Sequence, residues 1–412
     1  MTEDMLLFTD ECETASRNES DGKWKLLIVD DEPEVHQVTQ LVLADYSFDA
    51  SGLIFLNAYS GGEAVDLIQK HPDTAVVLMD VVMETDQAGL DAVHHIRENL
   101  GCRMARIILR TGQPGHAPER RVILDYDIND YKAKSELTSQ KLFTSVTAAL
   151  RSYRDLNSIE TQRKRLEEII RSLNLAQEVQ QCLLPKEPPV LEKVDISGSS
   201  LYCDETGGDY FDYFELPGAA GAFGVAVGDV SGHGVSAALL MAGARAYLRS
   251  RVKLPGSIAD IVSDVNSLLS FDTRETGQFM TLFFLIVDPD GKALTWVRAG
   301  QDPAFLYTPV EDKIEELDGP GIAMGLDEGW PYASRRGVVR AGQVLLLATD
   351  GVWEAQNEAG EMFGKARFLD ALRRHAHEDA NRIRQAILNA VSAFQGRAAL
   401  TDDVTLVVLK FR

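Results

Sequence analysis

The sequence predicts a multidomain chain: a doubly wound α/β domain, a long helical linker, and an α+β domain of antiparallel strands flanked by helices. Three observations carry this reading. Short apolar runs alternate with helical patterns over residues 24–134, as in a parallel sheet with crossover helices. Residues 136–184 contain no proline and keep a helical rhythm. From residue 190 onward apolar strands follow one another and the helical stretches come in pairs, which favours antiparallel pairing with helices outside the sheets.

The first 22 residues are acidic and polar and lack the basic start of a secretion signal. They read as a flexible lead in which Leu6, Leu7 and Phe8 offer a local docking point. In the α/β region, "KLLIV", "AVVLM" and "RIIL" read as buried strands, with "VHQVTQLVLADY" and "GGEAVDLIQKH" as helices between them. Ligands of such folds sit beyond the carboxyl ends of the strands.

Along the linker, Leu142, Val146, Ala149, Tyr153, Leu156, Ile159, Leu166, Ile170, Leu173 and Leu184 recur mostly in alternating steps of three and four. That is a heptad rhythm, with a stammer near Leu156. Arg163, Gln177 and Gln180 weaken its seam. Two readings follow: a coiled coil joining a homodimer, or one helix lying on its own domains. The prolines of "LLPKEPP" (183–189) then stop the helix. In the last region "FGVAVGD", "QFMTLFFLIVD", "KALTWVRAG", "QVLLLATD" and "DVTLVVLKF" read as strands, and 233–251, 257–270, 365–376 and 379–394 as helices.

Composition excludes several classes. The chain has 41 basic and 63 acidic residues, a net charge of −22, which argues against nucleic acid or an anionic membrane as partner. No run of about 20 apolar residues is present. The four cysteines, Cys12, Cys102, Cys182 and Cys203, have no CxxC spacing, which points to reduced thiols, a cytoplasmic protein and no zinc site. No GxxxxGK[ST] loop supports a nucleotide-driven enzyme.

Two sets of acids carry the chemistry. In the α/β region, Asp30 and Asp31 follow the first strand, Asp80 the third, Thr111 the fourth and Lys134 the fifth. A doubly wound sheet brings all of them to one edge. Crowded carboxylates raise one another's pKa unless a cation compensates, and oxygen-only ligands suit Mg²⁺. This set resembles the receiver domain of two-component response regulators. The resemblance implies that Asp80 accepts a phosphoryl group from a histidine kinase and that Asp30, Asp31 and Asp80 hold Mg²⁺. It further implies that Thr111, Lys134 and the aromatic Tyr131 sense the phosphoryl group. Ser135 stands where that family has proline, Lys132 is a rival for the lysine role, and the loop "VVMETDQAGLD" is longer than usual.

In the last region Asp209 follows two glycines in "TGGDYFD", and Asp229 ends the apolar run of "VAVGDVSGHG". Asp350 ends "LLLATDG", and Asp402 and Asp403 precede "VTLVV". Isolated ionised carboxylates at such half-dry strand ends are costly. With no His or Cys cluster beside them, hard Mg²⁺ or Mn²⁺ is favoured. Two such ions about 4 Å apart can hold a bridging hydroxide and clamp a phosphate for in-line attack. The motifs together are similar to the metal-dependent protein phosphatase (PPM, protein phosphatase 2C) superfamily, in its bacterial stress-response and sporulation branch. That resemblance implies an antiparallel β-sandwich flanked by helices and two Mn²⁺ or Mg²⁺ ions. Asp229 would bridge them, Asp209 and the Val230 carbonyl would complete one site, and Asp350 and Asp402 the other. His233 would serve either as general acid or at the start of a helix. "AGQDPAF" places Gln301 and Asp302 at the site's rim in place of the family's residues, and Trp353 is bulkier than usual.

The expected division is a lead over 1–22, a receiver over 23–140, a helical linker over 141–186 and a phosphatase over 187–412. The expected function is a receiver-controlled serine/threonine phosphatase acting on a phosphorylated STAS-type anti-sigma-factor antagonist. The alternative is a non-catalytic adaptor that binds a sigma factor, an anti-sigma factor or a protease when the receiver is phosphorylated.

Overall fold

The structure, a computed structural model, describes residues 22–112, 127–134, 138–216 and 221–412. Nearly all of the expected lead, and Ser135, lie outside the described residues. The chain divides into two compact units, Met1–Glu167 and Glu168–Arg412.

The first unit is built on a parallel sheet in the order β2-β1-β3-β4-β5. Its strands are β1 (Trp24–Val29), β2 (Leu53–Ala58), β3 (Thr74–Asp80), β4 (Arg106–Thr111) and β5 (Asp130–Ala133). The helices are α1 (Pro33–Val42), α2 (Gly61–Lys70), α3 (Ala88–His94), which runs into a π-helical turn at His95–Asn99, and the start of α4 (Ser139–Gln181). Side chains alternate across a strand, and here both faces are covered. Leu27, Val29, Val77, Met79, Ile107 and Leu109 pack with Ala64 and Ile68 of α2 and Val93 of α3. Leu26, Ile28, Val76, Leu78 and Ile108 pack with Leu43, Tyr46 and the α4 residues Leu142, Val146, Leu150 and Tyr153. Double coverage is why these strands read as unbroken apolar runs.

The second unit is a four-layer sandwich. One sheet has the order β13-β10-β9-β8-β7 and the other β12-β11-β14-β15-β6. Their strands are β6 (Val194–Leu201), β7 (Tyr210–Glu215), β8 (Phe223–Val230), β9 (Met280–Val287), β10 (Ala293–Ala299), β11 (Ala304–Thr308), β12 (Lys313–Leu317), β13 (Arg335–Val338), β14 (Val344–Ala348) and β15 (Val404–Phe411). The ladders between these strands are antiparallel.

Period-two alternation sorts the layers. Phe223, Val225 and Val227 of β8 face the other sheet, where Leu345, Leu347, Val407 and Leu409 meet them. Ala226 and Val230 face outward onto α5 (Val235–Arg251) and α6 (Ile258–Asp272). The second sheet turns Leu346, Leu406 and Val408 onto α8 (Gly364–His375) and α9 (Ala380–Gln395). Between β14 and α8 lies the single-turn α7 (Gly351–Glu354). Helix starts follow capping chemistry: Ser257 and Asp260 form a capping box on α6, and Asp379 caps α9.

The heptad stripe of α4 splits in two. Leu142, Val146, Ala149 and Tyr153 are buried in the first unit's core. From Leu156 the apolar positions turn outward: Ile159 is 61% exposed, Leu166 58% and Ile170 45%. The boundary expected at residue 140 therefore falls inside a helix whose first turns complete the α/β core. The helix ends at Gln181, a few residues before the prolines.

Candidate functional site

In the second unit, register brings the acids together. Tyr210 of β7 pairs with Gly228 of β8, so Asp209 lies beside Asp229 at the same strand end. Ala348 of β14 pairs with Leu406 of β15, which places Asp350 and Asp402 at the corresponding end of the other sheet. A hydrogen bond closes the gap between the sheets: the Thr349 hydroxyl donates to Asp209 Oδ2 at 2.8 Å. The turn after Asp229 needs glycine, because Gly234 has φ +75° at the N-cap of α5.

The electrostatics of this end are those of crowded carboxylates. Burial and then the charges of Asp350, Asp402 and Asp403 push Asp229 up to about 8. Asp209, 1% exposed, is held well above the usual carboxylate range by burial and by Asp229. Burial also raises Asp350 and Asp402, with Asp302 adding to the first and Asp350 and Asp403 to the second. Glu354 of α7 is raised by burial and by Asp350, Asp402 and Asp302. The donors are all oxygens, and the nearby cation Lys365 is ion-paired to Asp302 at 3.0 Å. This donor set fits hard divalent cations.

The neighbours of these acids take distinct parts. Asp403 is a strut: its carboxylate accepts from the N–H groups of Cys203 at 2.8 Å, Gly208 at 2.8 Å and Asp209 at 3.3 Å. His233 is exposed and its Nδ1 lies 2.6 Å from Asp204 Oδ2. It is near enough to Asp402 to oppose that group's upward shift. No side chain caps α5, so His233 does not serve the helix start that way. Gln301 is buried rather than at the rim. Its side chain accepts from the Thr281 hydroxyl at 2.5 Å and donates to the Ala348 carbonyl at 3.2 Å, bracing β9 to β14 beneath Asp229. Trp353 is buried against Phe305 and Phe368, with the Lys365 ammonium 4.6 Å from its ring.

In the first unit the strand-end residues also converge. Asp30, Asp31 and Glu32 are, among the described residues, the acids whose oxygens all lie within 4.8 Å of one another. The C-terminal acids are spaced more widely. Lys134 Nζ sits 2.8 Å from Asp80 Oδ2 and 3.2 Å from Asp30 Oδ2. Lys132 pairs instead with Asp130 at 3.0 Å, so Lys134 is the lysine at the cluster. Asp80 is raised mainly by burial, against the pull of Lys134. Thr111 is buried at the end of β4, and Tyr131 is half-buried on β5 against the core. Arg110 is an addition that the sequence reading passed over: it is buried, and its guanidinium lies 3.3 Å from Asp30. A cation in the middle of "RIILRTG" was the available signal.

Comparison with known proteins decides the architecture. The Response regulator receiver domain family matches residues 26–147, and the Stage II sporulation protein E (SpoIIE) family matches residues 219–412. The chain joins a receiver domain to a PPM-type phosphatase domain. Residues 146–181, within α4, match a domain of unknown function. The phosphoserine phosphatase RsbU of Bacillus subtilis is 25% identical over 244 residues, 59% of this chain and 71% of that protein. The 3'3'-cGAMP-specific phosphodiesterase 2 of Vibrio cholerae is 48% identical over 151 residues, 37% of this chain; the match spans 29% of that protein's length. Among solved structures, the SiaA-PP2C domain of Pseudomonas aeruginosa matches with TM-score 0.54 at 25% identity, over 60% of this chain and 99% of that one. In these terms Asp30, Asp31, Glu32, Asp80, Thr111 and Lys134 line the receiver's strand edge. Asp209, Asp229, Asp350 and Asp402 line the end of the phosphatase sandwich. No helix among the described residues is long and apolar enough to cross a membrane.

Proposed function

We propose that this protein is a response-regulator serine/threonine phosphatase. The supporting observation is that the buried Asp209 and the half-buried Asp229, Asp350 and Asp402 gather at one end of the sandwich, where burial and neighbouring carboxylates raise all four. Two Mn²⁺ or Mg²⁺ ions would be held by these four side chains and the Val230 carbonyl, with Asp229 shared. When bound, divalent cations at such a site supply an acidified water and neutralise charge on a phosphate. Glu354 and Asp302 add to the field that favours cations. The bond broken is the one from phosphorus to the oxygen of a phosphoserine or phosphothreonine, and the departing alkoxide needs a proton. His233 would supply it as the imidazolium: its Nδ1 lies 2.6 Å from Asp204 Oδ2, and with that carboxylate accepting the Nδ1–H, the proton on the other ring nitrogen is the one to be transferred.

In the receiver, Asp80 takes a phosphoryl group from a histidine kinase. Asp30, Asp31 and Asp80 would hold Mg²⁺, which would neutralise charge on the phosphoryl group, and Thr111, Lys134 and Tyr131 would respond to the new charge. The all-oxygen cluster at Asp30, Asp31 and Glu32 supports this. The substrate class is a phosphorylated STAS-type anti-sigma-factor antagonist, a reading that rests on the likeness to the SpoIIE family and to RsbU. The exposed apolar stripe of α4 supports a homodimer through the linker, and the free thiols of Cys102, Cys182 and Cys203 support a cytoplasmic setting.

The test is Mn²⁺-dependent release of phosphate from a phosphoserine protein, with Asp229→Ala as control. Release by the wild type and loss of at least about a hundredfold in the variant is the expected result. Equal turnover in the variant would remove the assignment of Asp229. No turnover by a metal-loaded wild type that still binds a sigma-factor regulator would favour the adaptor.

A further inference from the structure

Gln180 breaks the heptad seam, and its surroundings give a reason. It is 5% exposed at the end of α4, where Glu178, Val179 and Gln181 are exposed. Its side-chain amide grips one backbone unit from both sides. Nε2 donates to the Gly207 carbonyl at 2.6 Å, and Oε1 accepts from the Gly207 N–H at 3.1 Å. Gly207 has no slack: a Cβ there would lie 2.1 Å from Cδ1 of Tyr202 and 2.4 Å from Asp403 Oδ2. The two residues that follow, Gly208 and Asp209, donate their N–H groups to Asp403. The loop that delivers Asp209 is thus pinned on one side by Asp403, next to β15, and on the other by the last turn of α4.

We infer that Gln180 is a positioning residue for Asp209, through which the end of α4 sets the divalent-cation affinity of the phosphatase site. The inference rests on the reading of Asp209 as a metal ligand. Any rotation or slide of the helix end withdraws both hydrogen bonds together and leaves two buried backbone groups unpaired, a cost the loop can escape only by moving. An amide is required because Gly207 presents one donor and one acceptor, and the length of Gln is what spans the gap. Outer partners that orient metal ligands typically change metal affinity by about 10–100-fold when removed.

The experiment uses the full chain with Mn²⁺ alone as ligand, titrated calorimetrically, and with turnover of a phosphoserine protein followed against Mn²⁺ concentration. The variants are Gln180→Met, similar in shape without hydrogen bonding, Gln180→Glu, which keeps only the acceptor, and Gln181→Met, an exposed neighbour. Gln180→Met should bind Mn²⁺ about tenfold more weakly, with half-saturating Mn²⁺ for turnover raised equally and turnover at saturating Mn²⁺ largely kept. Gln180→Glu should fall between it and the wild type, and Gln181→Met should match the wild type. Wild-type Mn²⁺ affinity in both Gln180 variants would overturn the inference. So would loss of a cooperative thermal melt in both, which would make Gln180 a residue of the fold alone. A wild type that takes up no Mn²⁺ would instead remove the metal reading of Asp209 itself, an outcome visible before any variant is made.

Discussion

Asp229 feels the charges of Asp350, Asp402 and Asp403 together. Its folded pKa, about 8 without metal, lies above the ordinary carboxylate value of about 3.9. Between these values the folded state holds more protons than the unfolded one, so stability falls as pH rises through that window. In chelator, the phosphatase domain should melt at a higher temperature near the acid end of the window than near its alkaline end. Asp229→Asn carries no charge at any pH and should flatten that slope. Thermal melts with a chelator across the window test this, and an unchanged slope in the variant would place the strain elsewhere. Mn²⁺ competes with the same proton, so its affinity should weaken as pH falls. In the receiver, acetyl phosphate should label the wild type and leave Asp80→Asn unlabelled; mass spectrometry that found the label kept would put the acceptor elsewhere. Residues at this scale were legible where a motif named them. Asp209, Asp229, Asp350 and Asp402 stood at strand ends in quoted motifs, and Lys134 at the end of "INDYKAK". Arg110, Asp204 and Gln180 were not, because each acts through a partner far away in sequence: Asp30, His233 and Gly207.

At the scale of elements, the long apolar strands and the paired helices could be read directly, because burial on both faces leaves an unbroken apolar run. β6, β11, β12 and β13 were not read. β11 is short, and β6 contains glycine and serines. The residues of β12 and β13, Lys313–Leu317 and Arg335–Val338, are mostly exposed or half-buried at sheet edges, so neither apolar run nor strict alternation marks them. The helix α4 shows a different limit. One heptad rhythm covers two jobs, and only the fold shows that Leu142 to Tyr153 are spent inside the receiver core. The remaining stripe, Ile159, Leu166 and Ile170, is exposed and has the spacing of a coiled-coil seam, which supports the proposed dimer. The protein should therefore sediment at twice its 45.4 kDa chain mass. Charging the seam with Ile159→Asp, Leu166→Asp and Ile170→Asp together should return it to a monomer without lowering the receiver's melting temperature. A triple variant that stays dimeric on sedimentation would place the contact outside the helix.

For the whole molecule, the proposed function raises the question of how a phosphoryl group on Asp80 would influence a site built on the other unit. The covalent path is α4 itself, a single helix that supplies core residues to the receiver and Gln180 to the loop of Asp209. Phosphorylation of Asp80 would replace a single carboxylate charge, paired with Lys134, by an acyl phosphate of roughly −2 charge. Any rearrangement it causes in the receiver core bears on Leu142, Val146 and Leu150 of the same helix. If the helix carries the signal, its phase matters more than its length. Each added residue turns an α-helix by about 100°, so two inserted residues rotate its far end by about 200° while seven bring it back to within about 20°. Phosphorylation by acetyl phosphate should change phosphoserine turnover by at least about fivefold, the low end of common coupling energies. Asp80→Asn should abolish the change. Two residues inserted after Arg163, in the exposed stretch, should abolish it too, whereas seven inserted there should restore it. Steady-state turnover with and without acetyl phosphate in these four chains tests the path. Coupling that survives the two-residue insertion undiminished would mean that the units communicate by some route other than the rotation of α4.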